Sequence, residues 1–272
     1  MANDYDVLFA RLKVENPRAS CPESECSTLT SYLNGDIDAQ QCAEELTKYT
    51  NRRLPVSSKL SICGLVVQLG INFAGTHEDL VTLVEEIRNI PASKDTGGID
   101  WTNERAAFDE AFRGFYDSIW SLTLEADSVV GQKPTPGQSE ASRQWTNINA
   151  LEARMQHTGL LENLLNALLL IVKVLETNLS GAQVQMNLGA TAAWLEFASK
   201  EIKERAGTVG AHTNWAQESD YRKEPQVNGK RMAYWKDRLA ELGGLPYISE
   251  EVAASCERAT VAIEQALWER KK

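Results

Sequence analysis

Four side chains that could bind or polarise an oxygen-rich ligand share one predicted helix, Ser139–His157. They are Trp145, Asn149, Arg154 and His157. Arg154 is the first candidate for a catalytic residue because a guanidinium keeps its charge at any pH, and His157 is a second. Trp145 and Asn149 are candidates for substrate binding. The alternative interpretation is that Trp145 fills the core and Arg154 pairs with an acidic side chain.

Two neighbouring helices carry further aromatic residues. Tyr116 and Trp120 are four residues apart on the predicted helix Trp101–Val129, so they share one face. Tyr116 is a candidate catalytic acid, and Trp120 is a candidate wall of the same cavity. Trp194 lies among alanines on the predicted helix Ala182–Ala206, where small neighbours either let another helix approach or leave space beside the indole. Each ring is also explained by ordinary core packing.

A predicted loop, Gly207–Lys230, contains three more candidates, His212, Trp215 and Tyr221. Loops carry function more often than scaffold helices do. We interpret Trp215 and Tyr221 as substrate-binding residues of a lid and His212 as a catalytic candidate. Anchoring of the loop to the core is the alternative. A lid of this composition favours an apolar small-molecule substrate.

Motifs for cofactors and metals are missing from the sequence. It contains no GxGxxG, P-loop, GxSxG, HExxH or DDxxD motif, and each of these motifs carries a specific chemistry. The three histidines are far apart, and the five cysteines form no pair of CxxC motifs as zinc sites require. We therefore expect no metal, no cofactor and reduced thiols in a cytoplasmic protein.

The charge of the chain argues against two kinds of partner. With 28 Lys and Arg against 38 Asp and Glu, the net charge is −10, and such a field repels nucleic acid. The apolar stretch Leu160–Leu179 is interrupted by Glu162, Lys173 and Glu176, so we expect no membrane span. Trp268, near the end of a hydrophobic C-terminal helix, favours a homodimer.

The pattern of apolar residues predicts an all-α fold. No segment shows sustained period-two alternation, and apolar residues recur every three to four positions, as in helices. We predict one domain, residues 1–272, in which about ten helices form an irregular bundle around a buried central helix, Leu160–Leu179. A possible sub-boundary lies at 131–138, and Cys21–Ser27 is expected to interrupt the helices near the N-terminus.

Three short landmarks resemble a large fungal family of uncharacterised helical proteins. They are Trp145-x3-Asn149-Ala150-x2-Ala153-Arg154, then Ala192-Ala193-Trp194-x3-Ala198, and then Trp235-Lys236-x-Arg238-Leu239. Their order and spacing extend the resemblance over about residues 30–265.

More distantly, the chain resembles the hetero-Diels–Alderases of fungal tropolone–sesquiterpenoid biosynthesis. That resemblance implies a cofactor-free pericyclase or cyclase of secondary metabolism, which assists loss of water from a hydroxymethyl tropolone. The resulting quinone methide then reacts with a humulene-type alkene to give a meroterpenoid. The alternative function, from another class, is a non-catalytic helical protein for ligand binding or scaffolding.

Overall fold

The computed structural model describes residues 4–15, 22–50, 57–90, 105, 108–114, 116, 136–205 and 227–269. Within these ranges every regular element is a helix and no strand is present, which confirms the all-α fold. None of the described helices is long and apolar enough to cross a membrane.

By its contacts the chain divides into an N-terminal unit, Met1–Phe115, and a C-terminal unit, Tyr116–Lys272. The organisation as one domain stays a prediction. Of the possible boundary at 131–138, only residues 136–138 are described, and they are helical.

The N-terminal unit contains five α-helices with defined bounds, a short 3-10 turn, and further helical residues at 105 and 108–114. Helix α3 packs against α2, α4 and α5, and Tyr32 of α2 donates a 2.7 Å hydrogen bond to the backbone oxygen of Asp79 in α5. The elements are α1 (Asp4–Glu15), α2 (Glu23–Leu33), α3 (Ala39–Thr50), α4 (Ser57–Asn72), the turn Ala74–Thr76 and α5 (His77–Asn89).

Helix α2 corrects the expectation that Cys21–Ser27 interrupts the helices. Pro22 precedes its first residue, and Glu23 and Glu25 lie in its first turn, where carboxylates interact favourably with the helix dipole. The helix ends at Leu33, and two residues later Gly35 has a φ of +80°, a conformation that glycine adopts without strain.

The C-terminal unit contains six described α-helices. Three of them begin with a side-chain cap: Ser180 and Gln183 form a reciprocal capping box, Asn228 accepts a hydrogen bond from the backbone nitrogen of Arg231, and Ser249 accepts one from that of Val252. The helices are α6 (Pro136–His157), α7 (Leu165–Glu176), α8 (Gly181–Phe197), α9 (Ser199–Arg205), α10 (Gly229–Gly243) and α11 (Glu250–Trp268).

Helices α6 and α8 run parallel and in close contact. Ser142 donates to the backbone oxygen of Gln185, and fifteen residues further along α6 His157 lies beside Glu201, just beyond α8. Between these contacts, a Cβ atom on Gly189 would lie 2.6 Å from Thr146 Oγ1. A glycine at position 189 is therefore required for the observed distance between α6 and α8. The small residues of α8 allow the two helices to pack closely.

Helix α8 also contacts α7, α9, α10 and α11, so the central position in this unit belongs to α8. The predicted helix Ala182–Ala206 is divided into α8 and α9 because Ala198 leaves the helical conformation, with φ −130° and ψ 21°. No glycine or proline marks this break in the sequence.

The stretch Leu160–Leu179 is helical over a shorter range than predicted, because α7 begins at Leu165. Gly159, with φ +71°, ends α6, and the segment that follows buries Leu160 and Leu161 without helical structure. The expectation of burial on nearly all sides is wrong at Leu165 and Leu169, which are 38% and 41% exposed.

Adjacent leucines of α7 provide a matched test of this geometry. Leu168 is 1% exposed and Leu169 is 41% exposed. We expect Leu168→Asp to lower the free energy of unfolding by several kcal/mol, since it buries a carboxylate. Leu169→Asp is expected to cost about 1 kcal/mol or less, because its side chain reaches solvent. Chemical denaturation of both variants measures the difference, and equal losses would contradict the orientation of α7.

Candidate functional site

A hydrogen-bonded pair of side chains joins α6 to α8 at the centre of the C-terminal unit. The indole Nε1 of Trp194 donates to Asn149 Oδ1 over 2.7 Å, and Asn149 Nδ2 donates to the backbone oxygen of Trp145 over 2.8 Å. Asn149 is 1% exposed and Trp194 is 0% exposed. The parallel packing of α6 and α8 places these residues at the same level, so two landmarks distant in sequence meet.

Tyr116 brings a hydroxyl group to the same place. It donates a hydrogen bond to the carboxyl group of Glu152, and its oxygen lies 3.4 Å from Asn149 Oδ1. A hydroxyl has one proton and can donate one hydrogen bond. Because a carboxylate oxygen is a stronger acceptor than an amide oxygen, we assign the hydrogen bond of Tyr116 to Glu152 and not to Asn149. The Tyr116 ring meets the Trp145 ring edge-on, with centroids 5.1 Å apart, an arrangement that aromatic pairs favour.

We call these five residues the polar cluster: Tyr116, Trp145, Asn149, Glu152 and Trp194. All of them are buried. The structure thus brings together four sequence candidates and adds Glu152, which the sequence reasoning missed. The sequence does contain a pattern that could have identified Glu152, because positions 145, 149 and 152 are spaced by four and three residues and so lie on one helix face.

Arg154 lies in a different environment from Asn149. Its guanidinium carbon is 3.7 Å from the centroid of the Phe197 ring, a cation–π arrangement. Burial lowers the pKa of Arg154 from its ordinary value, and the nearby Glu196 acts in the opposite direction. Five residues along a helix correspond to about 140° of rotation, which explains why Asn149 and Arg154 have separate neighbours.

His157 lies at the end of α6. Its Nδ1 is 3.1 Å from Glu201 Oε1, and its side chain is 60% exposed. In the described part of the chain, no group of three or more His, Cys, Asp or Glu side chains could hold a metal ion. The absence of a metal or cofactor stays a prediction.

Four further candidates lie outside the described residues: Trp120, His212, Trp215 and Tyr221. Their predicted roles in a cavity wall, a lid and catalysis stay predictions.

A buried ion pair was not predicted from the sequence. Arg231 donates to both carboxylate oxygens of Glu176, over 2.6 and 2.8 Å, and Trp235 Nε1 donates to the same carboxylate over 2.6 Å. The side chains of Arg231 and Glu176 are 1% and 0% exposed. The sequence landmark Trp235 is therefore one part of a polar contact between α10 and α7.

Two of the described cysteines, Cys42 and Cys256, are buried free thiols. Burial raises the pKa of Cys42 and of Cys256 to about 12 in each case. Neither thiol is thereby favoured as a nucleophile, because the thiolate is the reactive form.

A family model for proteins of unknown function, DUF3632, matches residues 61–239, about two thirds of the chain. The chain belongs to this family. No curated protein and no solved structure matches the chain. The matched segment includes the whole polar cluster and the Glu176–Arg231 pair, so both are placed within the family's own region.

The Asn149–Trp194 contact gives a stability prediction. Asn149→Leu leaves the buried indole N–H of Trp194 without its acceptor, and we expect a loss of about 1–3 kcal/mol in the free energy of unfolding. Trp194→Phe removes that donor, so the double variant should lose less than the sum of the two single variants. Urea denaturation of the four proteins measures this coupling, and strictly additive losses would contradict the hydrogen bond.

Proposed function

We propose that this protein is a cofactor-independent enzyme of the pericyclase or cyclase type, which acts on an apolar small molecule at the polar cluster. The observation that carries the proposal is the Tyr116 hydroxyl held against the Glu152 carboxyl group beside the Trp145 ring. The assignment to fungal secondary metabolism belongs to the same proposal and rests on the resemblance of the three landmarks.

The chemistry of the cluster supports proton transfer. A carboxyl group and a phenolic hydroxyl in hydrogen-bond contact can donate or accept a proton at a substrate oxygen. Their burial increases the strength of electrostatic interactions relative to water. The indoles of Trp145 and Trp194 provide apolar surface beside these polar groups, as ligand sites for apolar molecules commonly do.

In its sharpest form, the proposal is a hetero-Diels–Alder reaction of a tropolone quinone methide with a terpenoid alkene. Formation of the quinone methide requires a proton on the departing hydroxyl of the hydroxymethyl tropolone, so that water leaves. Tyr116 is the proposed acid, which gives its hydroxyl proton to the departing hydroxyl. The Glu152 carboxylate is the proposed base, which takes the proton that the tropolone hydroxyl loses and returns it to Tyr116. Holding both partners in one orientation then favours the cycloaddition.

Arg154 is the proposed donor to the tropolone oxygen that gains negative charge. Its support is the guanidinium itself, which is half-buried and stacked on Phe197, since a desolvated cation stabilises developing charge more strongly than an exposed one. His157 and the candidates outside the described residues keep the roles predicted from sequence.

A second candidate function is non-catalytic ligand binding or scaffolding. It is favoured by the hydrogen bonds of the Asn149 side chain, which are both made within the fold. The amide oxygen accepts from the indole of Trp194, and the amide nitrogen donates to the backbone oxygen of Trp145. Such an arrangement also suits a residue that only holds two helices together.

A homodimer and a cytoplasmic location belong to this proposal as well. Trp268 at the end of α11 is 84% exposed, which favours a second copy as the partner. A monomer mass in sedimentation at micromolar concentration would contradict the dimer.

The test is a reaction of the purified protein with a hydroxymethyl tropolone and a humulene-type alkene, with the cycloadduct measured by mass spectrometry. We expect formation above the rate in buffer, and a fall of roughly 10²–10⁴-fold in Glu152→Gln. Glu257→Gln, the same substitution at an exposed position of α11, is the matched control and should keep full turnover.

Three results decide between the candidates. No acceleration by the unchanged protein contradicts the cycloaddition. Full turnover in a folded Glu152→Gln contradicts the proposed role of Glu152 in proton transfer. Probe binding by calorimetry without any turnover favours the ligand-binding function.

A further inference from the structure

We infer that Asn187 of α8 is a ligand-binding residue that accepts a hydrogen bond from the hydroxyl group of a neutral, mainly apolar small molecule. This inference concerns binding alone and does not depend on catalysis at the polar cluster.

The observation that carries it is an amide oxygen without a donor. Asn187 is 0% exposed, and its Nδ2 donates to the backbone oxygen of Gln183 over 2.9 Å. Within the described part of the chain, no donor reaches Asn187 Oδ1. Buried acceptors are normally paired, because losing water without gaining a partner is costly.

The orientation of the amide follows from its neighbour. The backbone oxygen of Gln183 only accepts hydrogen bonds, so the nitrogen of the Asn187 amide must face it. Exchanging the two amide atoms would place two acceptors against each other. The unpaired group is therefore the oxygen, and the missing partner is a donor.

Asn187 belongs to a polar stripe along α8, which we define as Gln183, Asn187, Thr191 and Trp194. At 3.6 residues per turn these four positions lie within about 80° of one another around the helix axis. All four are buried. Trp194 ends the stripe at its hydrogen bond to Asn149, so the stripe leads into the polar cluster.

The chemistry of the stripe defines the class of ligand. Thr191 Oγ1 donates its proton to the backbone oxygen of Asn187 over 3.0 Å, so its remaining capacity is to accept. Asn187 and Thr191 thus both favour a donor, and the stripe contains no charged side chain. A neutral molecule with a hydroxyl group fits this pattern better than an anion or a cation does.

The donor missing at Asn187 Oδ1 has two possible sources, the hydroxyl of a ligand or a single buried water, since polar interior sites commonly hold water. The experiment must separate these two sources. A pair of probes of similar shape serves this purpose: 1-naphthol carries the hydroxyl donor, and 1-methylnaphthalene replaces it with a methyl group.

Calorimetric titration of the full-length protein with both probes is the binding test. We expect 1-naphthol to bind about 3–10-fold more tightly than 1-methylnaphthalene, as one net hydrogen bond allows. Asn187→Leu should abolish this preference, and Asn187→Ala, which needs no added space, should do so as well. Gln265→Leu, the same loss of an amide on the exposed face of α11, should keep the preference.

The melting temperature without any probe gives an independent test. Asn187→Leu removes a buried acceptor that lacks a donor, so we expect the melting temperature to rise by about 2–4 °C. Equal affinities for the two probes, or no binding of either, would overturn the inference. A fall in melting temperature in Asn187→Leu together with no preference between the probes would assign the donor to a buried water.

Discussion

The buried contact of Glu176 with Arg231 and Trp235 is the constraint on which the C-terminal unit depends. Glu176 is the last residue of α7 and Arg231 is the third residue of α10, so each charge lies at the helix end where the dipole disfavours it. Both charges are also removed from water. Either buried charge alone would destabilise the fold. The bidentate pair and the indole donor of Trp235 compensate both charges, so Glu176 and Arg231 each require the other.

This contact connects the helices that carry the candidate site. It joins α7 to α10; α10 packs against α11; α11 packs against α8; and α8 packs against α6. The last of these interfaces holds Trp194 against Asn149 and so defines the polar cluster. Directional hydrogen bonds give the unit a fixed register that apolar packing alone provides less strictly. A site for an oriented apolar substrate requires such a register.

The sequence predicted the fold class and several helix ends because those depend on local features. Apolar spacing acts within a few residues, and the predicted helix end at His157 is confirmed just before Gly159, which has a positive φ. The start of α7 and the break at Ala198 were missed, since no local residue marks them. Trp145, Asn149 and Trp194 were predicted as candidates, but Glu152 and the Glu176–Arg231 pair were not. A buried charge is recognised by its partner, and a partner 55 residues away is found only in the folded chain.

A double-mutant cycle at Glu176 and Arg231 tests this account most directly. The quantity measured is the free energy of unfolding of the unchanged protein, Glu176→Met, Arg231→Met and the double variant, by chemical denaturation. The account predicts that each single variant loses about 3–5 kcal/mol, because each leaves an uncompensated buried charge. The double variant should lose much less than the sum of the two. Single variants that lose under about 1 kcal/mol, or losses that simply add, would contradict the central role of this contact.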